Sequence, residues 1–132
     1  MIMRARKDGN YLIFELEGQL DFETTQQFEE TAHDMIRKSA TAPRLVFNLE
    51  KLKFVGSCGI NQFIQVMKDF NSAENKPRFC HLSSEFIKMF RAFQTSRNPF
   101  EIHPTETEAR LAFDLPPSAK KPGRKKSLVG SA

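Results

Sequence analysis

The 132-residue sequence contains no tryptophan and a single tyrosine, whereas phenylalanine occurs 13 times. We interpret the phenylalanines as core filling rather than as stacking partners for a ligand. The two cysteines, Cys58 and Cys80, are too few for a disulfide framework, as expected in a reducing compartment. No stretch approaches 18 consecutive apolar residues, and the N-terminus lacks the apolar run of a signal peptide. These absences predict a cytoplasmic protein without a membrane span.

Acidic residues are missing from the last part of the chain, which makes the formal net charge of +4 misleading. Residues 1–114 hold 15 basic and 16 acidic side chains, whereas residues 115–132 hold five basic ones and no acid. A nucleic-acid-binding domain usually carries its positive charge on the fold. We therefore predict one nearly neutral domain over 1–114 and a disordered basic tail over 115–132, with at most weak contact between the tail and nucleic acid or anionic lipid.

Catalytic and metal-binding patterns are also missing. His33, His81 and His103 fall on a helix, a strand and a strand exit, with no Ser/His/Asp or Cys/His pattern to connect them. No His/Cys cluster has metal-ligand spacing, and Gly56 and Gly59 make neither a P-loop nor a dinucleotide fingerprint. The sequence therefore predicts no enzyme, no metal and no cofactor.

Periodic apolar residues divide the first 114 residues into alternating strands and helices. This alternation predicts an α/β fold, with a mixed, mostly parallel sheet and an antiparallel hairpin at its start. Strands are predicted at 2–6, 11–17, 44–49, 78–82 and 99–102, and helices at 23–39, 58–72 and 105–113, the last opened by a capping box from Thr105 to Glu108. A further helix, capped by Ser83 or Ser84, carries the apolar residues Phe86, Ile87, Met89, Phe90 and Phe93.

One loop, residues 54–60, stands out because it joins a buried strand to an amphipathic helix. It reads Phe-Val-Gly-Ser-Cys-Gly-Ile and presents small side chains at a predicted helix N-terminus. The first N–H groups of a helix lack partners and the helix dipole is positive there, so negative charge is stabilised. We interpret this loop as the working surface. For Cys58 itself, a small buried side chain is the simpler interpretation, and a reactive thiolate is the alternative.

The order of strands and helices, together with two motifs, resembles the STAS domain family (sulphate transporter and anti-sigma-factor antagonist). The first is the Gly-x-Leu-Asp turn that ends in Asp21, and the second is the strand end Asn-Leu followed by Phe54 to Ile60. The resemblance covers roughly residues 2–113. It implies a STAS fold with helices packed mainly on one side of the sheet. It also implies a stand-alone bacterial signalling protein in transcription regulation, which acts by binding rather than by catalysis.

In that family the partner is an anti-sigma factor that is also a serine kinase, and phosphorylation of the second Ser in Asp-Ser-Ser-Gly breaks the complex. Cys58 occupies that Ser position here and Gly56 replaces the Asp, so the switch is lost, moved to Ser57 or replaced by redox chemistry. The alternatives to the antagonist function are a STAS scaffold or regulatory subunit of another complex, such as a transporter ATPase, and a redox or small-ligand sensor using Cys58. The resemblance implies a partner-binding site at Asp21, Gly56, Ser57, Cys58, Gly59 and Asn61.

Overall fold

A computed structural model describes residues 1–39, 43–53, 59–72 and 76–114 of the chain. Five strands and four helices follow one another in the predicted order. No helix in these described ranges is long and apolar enough to cross a membrane. The strands are β1 (Ile2–Asp8), β2 (Tyr11–Gln19), β3 (Arg44–Lys53), β4 (Arg78–Cys80) and β5 (Glu101–His103), and the helices are α1 (Phe22–Arg37), α2 (Ile60–Asn71), α3 (Ser84–Phe93) and α4 (Glu106–Asp114).

The five strands form one sheet in the order β1-β2-β3-β4-β5. β1 and β2 pair antiparallel across a tight turn, in which Gly9 has a φ of +60°, and the remaining neighbours are parallel. The α/β fold with a mixed, mostly parallel sheet is therefore confirmed. The carboxyl ends of β2, β3, β4 and β5 all point to one edge of the sheet, where the loops of the candidate site begin.

The larger core lies between the sheet and the helices α1, α2 and α3. Phenylalanine rings from the central strands form its middle layer, with ring centroids 5.4 Å apart for Phe14 and Phe47 and 5.3 Å apart for Phe47 and Phe79. Phe28 from α1 and Phe90 from α3 close over this layer edge-on. The interpretation of the phenylalanines as core residues holds for these positions, all of which are buried.

Of the four described helices, α4 alone packs on the opposite face of the sheet, so the helices are packed mainly on one side, as predicted. Here the buried residues are Ile13, Val46, Cys80 and Ala109, with Phe113 packed at the margin. Because Ala109 and Ala112 are the two buried side chains of α4, the helix presents little apolar surface to the sheet. Charged and polar contacts complete its attachment: Arg6–Glu106 at 2.7 Å, Arg110–Asp8 at 2.9 Å, Arg44–Asp114, and a hydrogen bond of 3.0 Å from the Tyr11 hydroxyl to the Arg110 carbonyl.

β3 is longer than predicted because it contains a bulge. The pairing with β2 shifts its register between the partners of Glu15 and Glu17, and the Asn48 side chain accepts a hydrogen bond of 3.0 Å from the backbone N–H of Glu50 at that point. The extra residue reverses the alternation, so that Leu49 and Leu52 are both buried. The predicted strand of 44–49 therefore ends where the period-2 pattern breaks, whereas the strand itself continues to Lys53.

Other element boundaries differ by a few residues from the sequence predictions. β4 ends at Cys80 rather than at residue 82, because His81 adopts a left-handed conformation with a φ of +57°. Ser83 is the N-cap of α3 and accepts from the Phe86 N–H at 3.2 Å. The Thr105 hydroxyl accepts from the Glu108 N–H at 3.2 Å and donates to the Glu108 carboxylate at 3.3 Å, which confirms the Thr105 half of the predicted capping box.

Candidate functional site

The two sequence motifs meet where α2 begins against the start of α1. Gly59 is the N-cap of α2 and has a φ of +76°, in the left-handed region that favours glycine. A Cβ placed on Gly59 would lie 3.1 Å from both the Asp21 carbonyl carbon and the Phe22 nitrogen. Few Cβ atoms in proteins approach backbone atoms this closely, so a side chain at position 59 would force the Asp21–Phe22 backbone to shift. The structure therefore brings together Asp21 and Gly59, which are 38 positions apart in the sequence.

Asp21 is held in a fixed position by its own hydrogen bonds. It is the N-cap of α1, and its Oδ1 accepts from the Thr24 N–H at 2.8 Å. Its Oδ2 accepts from the ammonium group of Met1 at 3.3 Å. The hydrogen bond from Thr24, and secondarily the Met1 ammonium, hold the pKa of this carboxyl below its usual range. Asp21 is therefore both a helix cap and an ionised group at the surface, because its side chain remains 44% exposed.

Asn61 lies in the first turn of α2 and is exposed, whereas its neighbour Ile60 and the next-turn residue Phe63 are buried. The buried face of α2 explains this placement, because residues at helical spacing turn toward the core and leave Asn61 outside. The starts of α1 and α2 thus border one another at Gly59, and Asn61 lies exposed in the first turn of α2. Three of the six predicted site residues, Asp21, Gly59 and Asn61, belong to this junction.

The other three predicted site residues, Gly56, Ser57 and Cys58, lie outside the described residues, and their assignment stays a prediction. The predicted start of α2 at residue 58 differs from the described start at Ile60. Cys80, the second cysteine, is fully buried under α4. Burial, reinforced by nearby Glu106, raises the pKa of the Cys80 thiol to about 12. Cys80 is therefore protonated at neutral pH and does not supply a reactive thiolate.

Sequence reasoning missed Phe22, the first residue of α1 and the neighbour of Asp21. Its side chain is 59% exposed, although apolar side chains of this size usually pack inside. A signal for this was present in the sequence. Phe22 does not belong to the apolar stripe of α1, which includes Phe28 and Ala32. An aromatic residue directly after a helix cap and off the core stripe is expected at the surface.

The histidines do not form a site in the described part of the chain. His33 stacks on Phe70 with ring centroids 4.5 Å apart, between α1 and α2. His81 follows β4, and His103 is the last residue of β5. Over the same described ranges, no group of three or more His, Cys, Asp or Glu side chains is placed to hold a metal ion.

Solved structures share this architecture. No significant match is found among curated protein sequences. The anti-sigma factor antagonist SpoIIAA in its unphosphorylated form is similar at 19% identity and a TM-score of 0.61, over 86% of this chain and 98% of that one. SpoIIAA of Bacillus in its phosphorylated form is similar at 18% identity and a TM-score of 0.60, over 85% of this chain and 99% of that one. A serine-to-glutamate variant of RsbS from Moorella thermoacetica is similar at 15% identity and a TM-score of 0.66, over 85% of this chain and 94% of that one.

At these identities the structural neighbours establish the fold. Membership of a family is established by sequence, because the family model of the STAS domain matches residues 3–109. That match includes the Gly-x-Leu-Asp turn, the junction at Gly59 and all five strands apart from the first residue of β1. The chain therefore belongs to the STAS domain family.

Proposed function

We propose that this protein is a regulatory binding module that resembles an anti-sigma factor antagonist and acts by binding an anti-sigma factor with serine kinase activity. The proposed binding surface consists of Asp21, Gly56, Ser57, Cys58, Gly59 and Asn61. We further propose that the domain ends near residue 114 and that residues 115–132 are a basic tail outside it. The protein has no catalytic role in this proposal, because its action requires only a surface that a partner recognises.

The observation that carries the proposal is the contact between Gly59 and the Asp21–Phe22 backbone. A glycine in a left-handed conformation and a capped, ionised aspartate are held together at the end of the sheet where its loops converge. Loops on a rigid scaffold are the usual location of recognition surfaces. Since Ser57 and Cys58 immediately precede Gly59 in the chain, this junction anchors one end of the segment that corresponds to the family's phosphorylation motif.

The neighbouring structures support a role for negative charge at this surface. SpoIIAA has been solved in phosphorylated and unphosphorylated forms, and the RsbS variant carries a glutamate in place of a serine. A phosphate adds about −1.5 to −2 charges, which opposes a close interface by repulsion and desolvation. The exposed Glu23 already places a negative charge beside the junction, where Asp21 is paired with the Met1 ammonium. In the present chain Cys58 is not a kinase substrate, so we propose that the phosphorylation switch is lost while the binding surface is kept.

The test is a binding titration between the full chain and the anti-sigma factor kinase encoded in the same genome. Replacement of both Ser57→Glu and Cys58→Glu places two negative charges beside the junction and is expected to abolish binding. The matched control carries Ser96→Glu and Thr107→Glu, two exposed positions away from the junction, and should bind like the unchanged protein. If the first double variant keeps full affinity, the partner surface lies elsewhere.

The two alternative functions predict different results in the same experiment. If the protein is instead a STAS subunit of another complex, the chain without substitutions would already fail to bind the kinase. A sensor based on Cys58 would bind only in one oxidation state, which titration with and without a thiol reductant would reveal.

A further inference from the structure

Four large apolar side chains are exposed in the described part of the chain. They are Phe22 at 59%, Ile2 at 58%, Leu111 at 57% and Phe93 at 39%. Phe22 is the one that belongs to the Asp21–Gly59 junction, because its own backbone nitrogen is one of the two atoms closest to Gly59. A single exposed apolar residue needs no explanation, but an aromatic one in the middle of a candidate interface has the chemistry of a binding hot spot.

The backbone that carries Phe22 is held in place from three sides. The Asp21 carboxylate accepts from the Thr24 N–H, the Asp21 carbonyl accepts from the Thr25 hydroxyl, and Gly59 packs against the peptide between Asp21 and Phe22. Only the two side-chain torsions of Phe22 remain to be fixed when a partner binds. Aromatic anchors bury a large area for a small loss of conformational entropy, which is why they dominate many interfaces.

The electrostatic surroundings of Phe22 define the partner further. Asp21 and Glu23 flank the ring in sequence. The Asp21 carboxylate is paired with the Met1 ammonium at 3.3 Å, so the exposed Glu23 supplies the negative charge beside the ring. The Asp21 carboxyl has a lowered pKa and stays ionised at neutral pH. A complementary surface must therefore be basic around an apolar centre, because like charges placed across an interface cost several kcal/mol.

We propose that Phe22 is the apolar anchor of the partner interface, and that the protein partner receives it in an apolar pocket with a basic rim. This inference rests on the proposed function and adds a hot-spot residue to the proposed surface. It also explains why an aromatic residue directly after the Asp21 cap remains outside the core. Phe22 does not belong to either STAS motif, so it contributes to the choice of partner by this particular chain.

The test compares Phe22→Ala with Leu111→Ala in titrations of the full chain against the same kinase. Leu111 is the matched control because it is equally exposed but lies on α4, on the other face of the sheet. We expect Phe22→Ala to weaken binding by roughly 10- to 50-fold, as for a hot-spot aromatic, and Leu111→Ala to change it by less than about twofold. Both variants should keep the thermal midpoint of the unchanged chain, because neither side chain is buried.

A third variant, Glu23→Gln, tests the basic rim. It should lower the association rate and the salt dependence of that rate, with little change in the dissociation rate. Equal affinities for Phe22→Ala and the unchanged protein would overturn the anchor while leaving the proposed function intact. Failure of the unchanged chain to bind the kinase would overturn both. If the protein alone sedimented as a dimer that Phe22→Ala dissociates, the occupant would be a second copy and the proposed partner pocket would be wrong.

Discussion

Replacement of Gly59 by alanine tests the junction through its two separate physical requirements. The first is the left-handed backbone, with a φ of +76°, which costs a residue with a Cβ about 1–2 kcal/mol. The second is space, because the new Cβ would lie 3.1 Å from two backbone atoms of the Asp21–Phe22 peptide. Backbone atoms cannot rotate away as a flexible side chain does, so we add about 1–3 kcal/mol for overpacking. Gly59→Ala should therefore lower the free energy of unfolding by about 2–5 kcal/mol.

Gly9→Ala is the matched control, because it separates these two requirements. Gly9 has a φ of +60°, but a Cβ there would meet nothing within 4 Å. Only the backbone term applies, so the expected loss is about 1–2 kcal/mol. At about 4 °C per kcal/mol for a domain of this size, the thermal midpoint should fall by about 8–20 °C for Gly59→Ala and about 4–8 °C for Gly9→Ala.

Calorimetry and urea unfolding of both variants measure this difference, and a binding titration measures its effect on the site. Gly59→Ala should weaken partner binding even where the protein remains folded, because relief of the contact must move the start of α1 or of α2. Equal destabilisation by the two substitutions would refute the close approach between the helices. Unchanged binding by folded Gly59→Ala would show that the junction does not position the interface.

Three further predictions concern the cysteine, the serine and the tail. Burial raises the pKa of the Cys80 thiol to about 12, so the folded protein should resist a thiol reagent at pH 8. Because the folded state holds this proton more tightly than the unfolded chain, the contribution of Cys80 to stability should be complete below about pH 9 and lost as the pH rises toward 12. Cys80→Ala should not show this pH dependence. Intact-mass spectrometry after incubation with kinase and ATP should find no phosphate on Cys58 and little or none on Ser57, and a full equivalent on Ser57 would mean that the switch has moved. Deletion of residues 115–132 should leave the thermal midpoint nearly unchanged and should remove any DNA binding. For the full chain, the slope of the logarithm of the binding constant against the logarithm of the salt concentration should be no steeper than about −4.5, because the tail has five positive charges. DNA binding retained by the truncated chain would contradict this.

The order of strands and helices could be predicted because each element carries a clear apolar period. That the two motifs belong to one site was implied by the family resemblance and not by the periodicity. The bulge in β3 could not be predicted, because its extra residue reverses the alternation after Leu49 and makes the strand seem to end. The end of β4 was misplaced for a related reason. Histidine as a residue type does not predict the left-handed conformation of His81, which depends on the tertiary context.

The candidate site was predicted in part, and the limits are physical. Asp21 was expected as a site residue, and the structure shows that it also caps α1 through the hydrogen bond from Thr24. The close approach of Gly59 to Asp21 depends on distances between elements, which periodicity does not contain. Phe22 was overlooked because attention to motifs favours residues with reactive groups, whereas an exposed aromatic contributes through area.

The weak attachment of α4 has a consequence for how the molecule opens. Local stability follows buried apolar area, and α4 contributes two alanines and the margin of Phe113, against the layered phenylalanines on the other face. Its charge pairs are exposed and therefore screened by salt. We therefore expect the amide hydrogens of the last helix to exchange faster than those of β2 and β3, at a rate that rises with ionic strength. The face of the sheet under the phenylalanine layers should be the better protected of the two.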